Sequence, residues 1–166
     1  QNIRTADCMQ LNFDAPLEAR LIGNAVQGST YYWIDHDTGV AEELALKSCE
    51  IAGKRGIFES GTQILHGRGE VIKENDLIII ADPQNYTQQD LEELVELAYR
   101  TRSLLVSIGR EIEGARYISA QVEDGFESYC ILPVGWNILR QVGKAAGRDI
   151  DNPSHVKKFR PEKVHP

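Results

Sequence analysis

A chain of 166 residues, of which 42% are hydrophobic and 26% charged, is long enough for one well-buried domain and too short for two full-sized ones. Its 18 basic and 25 acidic residues give a formal charge of −7, which argues against a nucleic-acid-binding protein or a binder of anionic membranes. The 3 cysteines are scattered and lack metal-ligand spacing, which argues against a disulfide framework or a zinc site and favours a reducing, cytoplasmic setting.

The apolar segments and the N-terminus further limit the class of protein. No apolar run is long enough to span a membrane, and the N-terminus lacks the basic and apolar regions of a signal peptide. Residue 1 is Gln and the single methionine is Met9, so we expect a fragment of a longer protein. No motif for a metal or a nucleotide cofactor is present, and none is expected to bind.

The first half of the chain predicts two helices and two strands. After a polar lead-in up to about Asn12, apolar residues at helical spacing predict a helix over residues 14–26. An aromatic and β-branched run at 31–34 predicts a buried strand, and residues 40–52, rich in Ala, Leu, Glu and Lys, predict a second helix. A short strand is expected at 56–60, followed by a glycine-bounded loop at 61–69.

The second half predicts a sheet with helices between its strands. Four consecutive apolar residues at 77–80 are typical of a strand buried on both faces of a parallel sheet. Thr87 and Asp90 open a helix that runs to about residue 102, and a strand is expected at 104–108. Further strands are expected at 116–120 and 129–132, and a last helix at 133–146. This alternation predicts an α/β fold with right-handed crossovers and helices on both faces.

Charged residues on the helix at 40–52 form a stripe of Glu43, Lys47, Glu50 and Lys54, at intervals of four, three and four. One interpretation is a solvated helix face held by ion pairs. The other is a catalytic strip, in which a carboxylate moves a proton between adjacent carbons and the ammonium stabilises an enediolate. The pattern leaves both interpretations open.

Other polar residues carry weaker signals. His66 lies in a glycine-bounded loop and is either a surface residue or a group poised to titrate near neutral pH. His36 lies between Asp35 and Asp37, a pattern too sparse to indicate a metal site, and the two carboxylates make this loop a poor phosphate cradle. Cys49, within the Ala- and Leu-rich helix, is expected to be a small core residue.

Two segments resemble a known family. Residues 41–50 read A-E-E-L-A-L-K-S-C-E, and a His-Gly pair follows sixteen residues after Glu50. This arrangement resembles the sugar isomerase (SIS) family, most closely the second lobe of the isomerase part of glutamine:fructose-6-phosphate amidotransferases, or a related phosphosugar isomerase or deaminase. That family reads A-x-E-G-A-L-K-x-K-E and then L-K-H-G. Residues 147–158, G-R-D-I-D-N-P-S-H-V-K-K, resemble its tail, G-x-x-x-D-x-P-R-N-L-A-K-S.

The resemblance implies a three-layer αβα sandwich around a parallel, flavodoxin-like sheet of about five strands. It implies an SIS lobe at residues 30–147, preceded by a lead-in and first helix at 1–29 and followed by a tail at 148–166 that reaches the active site. By position, Glu50 would carry the proton between C1 and C2 of the sugar phosphate, with Lys47 beside it. Glu43 would belong to the same strip and contact the substrate.

The remaining site residues implied by the resemblance come from the loop and the tail. His66 would assist opening of the sugar ring, reaching into the neighbouring subunit's site of a homodimer. Lys158 would form a Schiff base with the open-chain ketose, because a lysine among cationic neighbours can lose its proton and act as a nucleophile. The tail departs from the family after this point, so Lys157 is the alternative for the same role.

The implied activity is aldose/ketose isomerisation of a hexose 6-phosphate, coupled to amino transfer or deamination at C2 as in glucosamine 6-phosphate synthesis. Leu44 and Arg68 depart from the family pattern, and the Ser/Thr-rich phosphate loop of the first lobe is absent. A second SIS lobe or a homodimer partner is therefore expected. The alternative is a noncatalytic sugar-phosphate-binding or dimerisation module.

Overall fold

The computed structural model, which describes residues 5–36 and 38–152, is built around one five-stranded sheet. The strands are β1 (Thr30–Asp35), β2 (Arg55–Ser60), β3 (Leu77–Ile80), β4 (Leu104–Ile108) and β5 (Arg116–Ile118). Their order is β2-β1-β3-β4-β5, and every neighbouring pair is parallel. The chain therefore moves to one edge with β2 and returns through β3 to the other edge, as in doubly wound α/β folds.

Five α-helices of the described chain surround the sheet. They are α1 (Thr5–Asp14), α2 (Ala19–Gln27), α3 (Val40–Lys47), α4 (Gln88–Thr101) and α5 (Glu127–Ala145). A π-helical turn, Ser48–Ala52, continues directly from α3, and Gly53 ends it in the left-handed conformation with φ 65°. Short 3₁₀ turns lie at Gln63–Leu65, Arg68–Val71 and Pro83–Asn85.

Two apolar cores lie on opposite faces of the sheet. Tyr31 and Trp33 of β1 face a core shared with α2, α3 and α5. Tyr32 and Ile34, which alternate with them, face a second core shared with α4 and with Ile64 of the loop after β2. Because β1 and β3 are buried on both faces, residues 31–34 and 77–80 are continuously apolar, and the predicted three-layer α/β sandwich is confirmed.

Several predicted boundaries are wrong. The polar lead-in contains the helix α1, and the helix predicted to begin at residue 14 begins at Ala19 instead. The strand predicted at 129–132 belongs to α5, because Cys130, Ile131 and Val134 are buried at helical rather than alternating spacing. The strand predicted at 116–120 ends at Ile118.

The helix α1 is held by polar contacts more than by an apolar stripe. Asn12 is buried, and its side-chain amide donates to the carbonyl oxygens of Gln121 at 2.8 Å and Cys130 at 2.6 Å. Its oxygen accepts from the Gln121 N–H at 2.8 Å. A helix that docks through a buried amide gives little hydrophobic periodicity, which explains why the sequence did not predict it. None of the described helices has the length and apolar character needed to cross a membrane.

Candidate active site

The loop after β1 caps α3 with a carboxylate. Asp35 is fully buried, and its Oδ2 accepts from the Ala41 N–H at 2.9 Å and from the Thr38 hydroxyl at 2.6 Å. A negative charge at this place satisfies the positive end of the helix dipole. The sequence predicted a poor phosphate cradle here, and the geometry explains it, because the protein's own carboxylate occupies the anion-binding end of α3. Asp37 lies outside the described residues.

Three of the predicted site residues lie together on the outer surface of α3 and the π turn. Lys47 Nζ lies 2.6 Å from Glu50 Oε2 and 3.8 Å from Glu43 Oε1. The side chains of Glu43, Lys47 and Glu50, called here the charged strip, are 38%, 28% and 46% exposed. Lys54, the fourth residue of the predicted stripe, leaves it: its Nζ donates to the Val26 carbonyl oxygen at 2.7 Å.

The lysine of the charged strip is a stable cation. The hydrogen bond to Glu50 raises the pKa of Lys47 above its ordinary value, and the charges of Glu50 and Glu43 act in the same direction. The pKa of an unperturbed lysine is already ~10.4, so Lys47 is protonated throughout the neutral range. It can therefore stabilise a developing anion but cannot serve there as a base or a nucleophile.

His66 lies on the other side of the sheet. It follows the 3₁₀ turn Gln63–Leu65, whose Ile64 is buried in the core shared with α4, whereas α3 packs against the opposite core. The His66 side chain is exposed and makes no hydrogen bond or ion pair with any described residue. The structure thus brings Glu43, Lys47 and Glu50 together and leaves His66 of the same chain apart from them.

An ion pair that the sequence did not predict anchors the His66 loop. Glu59, 4% exposed at the end of β2, lies with Oε1 2.9 Å from Arg68 Nε, two residues after His66. Glu59 Oε1 receives no aligned hydrogen bond from the described residues, so the contact is an electrostatic one. Arg68, a departure from the family pattern, therefore has a structural role, and the sequence signal was two opposite charges flanking one short loop.

Replacing Arg68 by Ala is expected to lower the free energy of unfolding by about 1–3 kcal/mol, because it leaves the buried Glu59 carboxylate without its cation. The low end is favoured since water screens Arg68, which is 57% exposed. Urea unfolding monitored by circular dichroism measures the change. Arg100→Ala is the matched control: its pair with Glu96 is exposed on both sides, so a shift below about 0.5 kcal/mol is expected. Equal effects of the two substitutions would contradict the anchoring role.

Cys49 and the tail lysines complete the predicted set. Cys49 is exposed, so the prediction of a core residue is wrong: it lies about two helical turns after Glu42, on the same exposed face of the helix. Lys157 and Lys158 lie outside the described residues. The last described segment packs against the π turn, with the Arg148 guanidinium so close over Gly53 that a side chain there would overlap it.

The larger cavities do not include the charged strip. Cavities of about 600 and 520 Å³ lie beside α4, and one of about 490 Å³ lies between β5 and the segment that links α1 to α2. None of the three is lined by Glu43, Lys47, Glu50 or His66. His36 packs its ring on Tyr86, with the centroids 4.4 Å apart. No three potential metal ligands cluster among the residues that the structure describes.

No protein-family model matches the sequence, and no curated protein matches it. Solved structures do match. Tagatose-6-phosphate ketose/aldose isomerase from Escherichia coli superimposes with a TM-score of 0.66 at 18% identity, over 96% of this chain and 47% of that one. The C-terminal domain of glucosamine-fructose-6-phosphate aminotransferase from Francisella tularensis superimposes with a TM-score of 0.67 at 14% identity, over 89% of this chain and 43% of that one. This chain thus spans less than half the length of either.

A third solved structure is of comparable length. A protein of Listeria monocytogenes, described as a sugar-phosphate isomerase, superimposes with a TM-score of 0.66 at 14% identity, over 89% of this chain and 87% of that one. The structural neighbours are phosphosugar isomerases of the SIS-domain type, and the fold expected from the sequence is the one they share. At these identities the likeness establishes the fold.

Proposed function

We propose, from a fold shared with sugar-phosphate isomerases, that this chain is a phosphosugar isomerase lobe that interconverts an aldose and a ketose hexose 6-phosphate. The observation that carries the proposal is the charged strip, in which a protonated lysine lies 2.6 Å from one carboxylate and 3.8 Å from another. This arrangement suits proton transfer beside a developing anion.

The proposed reaction moves one proton between neighbouring carbons. Glu50 takes the proton from C1 of the open-chain ketose, and the C–H electron pair forms the C1–C2 double bond of an enediolate whose charge lies on O2. A proton passes from the C1 hydroxyl to O2, Glu50 returns its proton to C2, and the C1 oxygen becomes the aldehyde carbonyl of the aldose. The Lys47 ammonium stabilises the negative charge that develops on the enediolate oxygens. Glu43 keeps Lys47 protonated and oriented while Glu50 changes its own charge.

The isomerisation is proposed to be coupled to the transfer or removal of an amino group. Amino transfer or deamination at C2, as in glucosamine 6-phosphate synthesis, is the more specific proposal, and the name of the Francisella tularensis neighbour supports it. Lys158, or alternatively Lys157, would hold the open-chain ketose as a Schiff base, with the lysine nitrogen bonded to C2 and water released. The packing of Arg148 over Gly53 supports this, because the tail leaves the described structure beside the π turn that carries Glu50.

His66 is proposed to act in the site of a second copy of this chain. Its position across the sheet from Glu50 favours action on a neighbouring subunit over action within one chain. An imidazole that is exposed and has no side-chain partner among the described residues of its own subunit is free to donate a proton to the ring oxygen of a sugar bound next door, or to take one from its anomeric hydroxyl. The expected assembly is therefore a homodimer with sites that contain residues of both chains.

Mixing two inactive variants tests this arrangement. A Glu50→Gln chain and a His66→Ala chain, each nearly inactive, are expected to regain about a quarter of parental turnover after denaturation and refolding together, because half the dimers are mixed and each holds one intact site. Each variant refolded with itself is the control. Recovery no greater than the sum of the separate activities would contradict a shared site.

A noncatalytic sugar-phosphate-binding or dimerisation module is the second candidate. Asp35 favours the dimerisation role over sugar-phosphate binding, because its carboxylate occupies the end of α3 where a phosphate would otherwise bind. Calorimetric titration with fructose 6-phosphate, together with an assay of glucose 6-phosphate formation by the same sample, separates the two functions. Turnover supports the isomerase, whereas saturable binding without turnover supports the module. A sample with neither binding nor turnover would contradict the isomerase and the sugar-phosphate-binding module alike.

A further inference from the structure

A buried hydroxyl lies at the junction of α3 and the π turn. Ser48 and Trp33 are both fully buried, and the Trp33 indole N–H donates to Ser48 Oγ at 2.8 Å. The same hydroxyl donates to the Leu44 carbonyl oxygen at 2.8 Å. Ser48 is therefore satisfied as donor and acceptor, and it links the last turn of α3 to the middle of strand β1.

The hydrogen bond to Leu44 lies where the helix changes geometry. A serine hydroxyl that bonds to the carbonyl four residues earlier competes with the backbone ladder and bends the helix. The π turn begins at this residue, Ser48–Ala52, and the N–H groups of Gly53 and Lys54 both close onto the Ser48 carbonyl oxygen. Single π turns inside α-helices are rare and frequently lie at functional sites.

The π turn decides where the next side chains point. It holds an extra residue per turn, so it rotates the residues after Lys47 relative to a continuous α-helix. Glu50 lies in this turn and meets Lys47 at 2.6 Å. We infer that Ser48, held by Trp33, is a positioning residue that fixes the π turn and thereby keeps Glu50 beside Lys47. The inference rests on the proposed function, in which Glu50 carries the proton.

Two variants remove this hydrogen bond from opposite sides. Ser48→Ala leaves the Trp33 indole without its acceptor, and Trp33→Phe removes the donor while keeping an aromatic ring. Ser48→Thr keeps a hydroxyl and is the rescue variant. Ile78→Val, in the core on the opposite face of the sheet, is the control for loss of stability without loss of this contact.

The local readouts do not need an assay of activity. In the full chain, hydrogen exchange at the amides of Gly53 and Lys54 is expected to become about tenfold faster in Ser48→Ala and Trp33→Phe, beyond any change in the global exchange rate. The pKa of Lys47, followed by NMR of its side chain, is expected to fall toward its ordinary value as Glu50 moves away. Ser48→Thr and Ile78→Val are expected to keep both properties of the parent.

Turnover adds a third readout. In an active enzyme, kcat for isomerisation is expected to fall about tenfold to a hundredfold with KM nearly unchanged, since the proton carrier is misplaced but the substrate still binds. Unaltered exchange and an unaltered Lys47 pKa in both variants would overturn the inference, even in an active enzyme. If the parent protein lacks turnover but both variants still show faster exchange and a lower Lys47 pKa, the positioning by Ser48 is supported and only the proposed function is contradicted.

Discussion

Replacing Glu50 by Gln is expected to lower kcat for hexose 6-phosphate isomerisation by about a hundredfold to ten-thousandfold, the usual contribution of a general base. An amide has almost the shape of the carboxylate but accepts no proton at neutral pH, so the loss appears in kcat. KM is expected to change little. The fold is expected to survive, because the Glu50 side chain is 46% exposed and its ion pair is a surface one.

Glu42→Gln is the matched control for this substitution. Glu42 lies on the same helix and is exposed, but it takes part in no hydrogen bond or ion pair with the described residues. Its loss removes the same charge from α3 without touching the charged strip, so parental turnover is expected. An active parent whose Glu50→Gln variant keeps full turnover would contradict the role assigned to Glu50. A comparable loss in Glu42→Gln would show that only the charge of the helix matters.

The second large effect is expected at Gly56, where β2 passes beneath α3. A β-carbon on residue 56 would overlap the backbone carbonyl of Ala45, and a backbone carbonyl cannot rotate away as a side chain can. Gly56→Ala is therefore expected to lower the free energy of unfolding by about 3 kcal/mol or more, the upper range for overpacking. For a domain of this size, that lowers Tm by about 6–12 °C.

Gly23→Ala is expected to change the free energy of unfolding in the opposite direction. Gly23 lies within α2, and a β-carbon there meets no atom within 4 Å. Alanine is favoured over glycine inside a helix, so this variant is expected to be more stable by about 0.5–1 kcal/mol. Urea unfolding of both variants measures the difference. A Gly56→Ala protein as stable as the parent would show that α3 and β2 pack less closely than the overlap at Ala45 requires.

The sequence predicted elements best where burial alone determines the pattern. The strand β3 was predicted to the residue, because four consecutive apolar residues suit a strand that is covered on both faces. The helix α4 was predicted from its capping box, in which the Thr87 hydroxyl accepts from the Asp90 N–H. Both signals are local, so no knowledge of the tertiary structure was needed.

The failures have tertiary causes. The helix α1 docks through Asn12, whose partners are more than 100 residues away along the chain, so no local apolar stripe predicted this helix. The contact between Trp33 and Ser48 joins residues 15 apart in the chain, so no local pattern predicted the π turn. Cys49 was assigned to the core from its Ala- and Leu-rich surroundings, although it lies on the exposed helix face of Glu42. The interval from Glu50 to His66 matched the family pattern but carried no information on which face of the sheet each residue occupies.

The most direct test of the account is the exchange of one hydrogen on the substrate. The full-length protein, incubated with fructose 6-phosphate in deuterium oxide, is expected to introduce deuterium at C1 of the ketose and at C2 of the aldose, because Glu50 exchanges its proton with solvent between transfers. The Glu50→Gln protein is expected to introduce almost none at either carbon. Aldose formation without deuterium in the parent would contradict exchange of the Glu50 proton with solvent, and equal deuterium incorporation by both proteins would contradict proton transfer by Glu50.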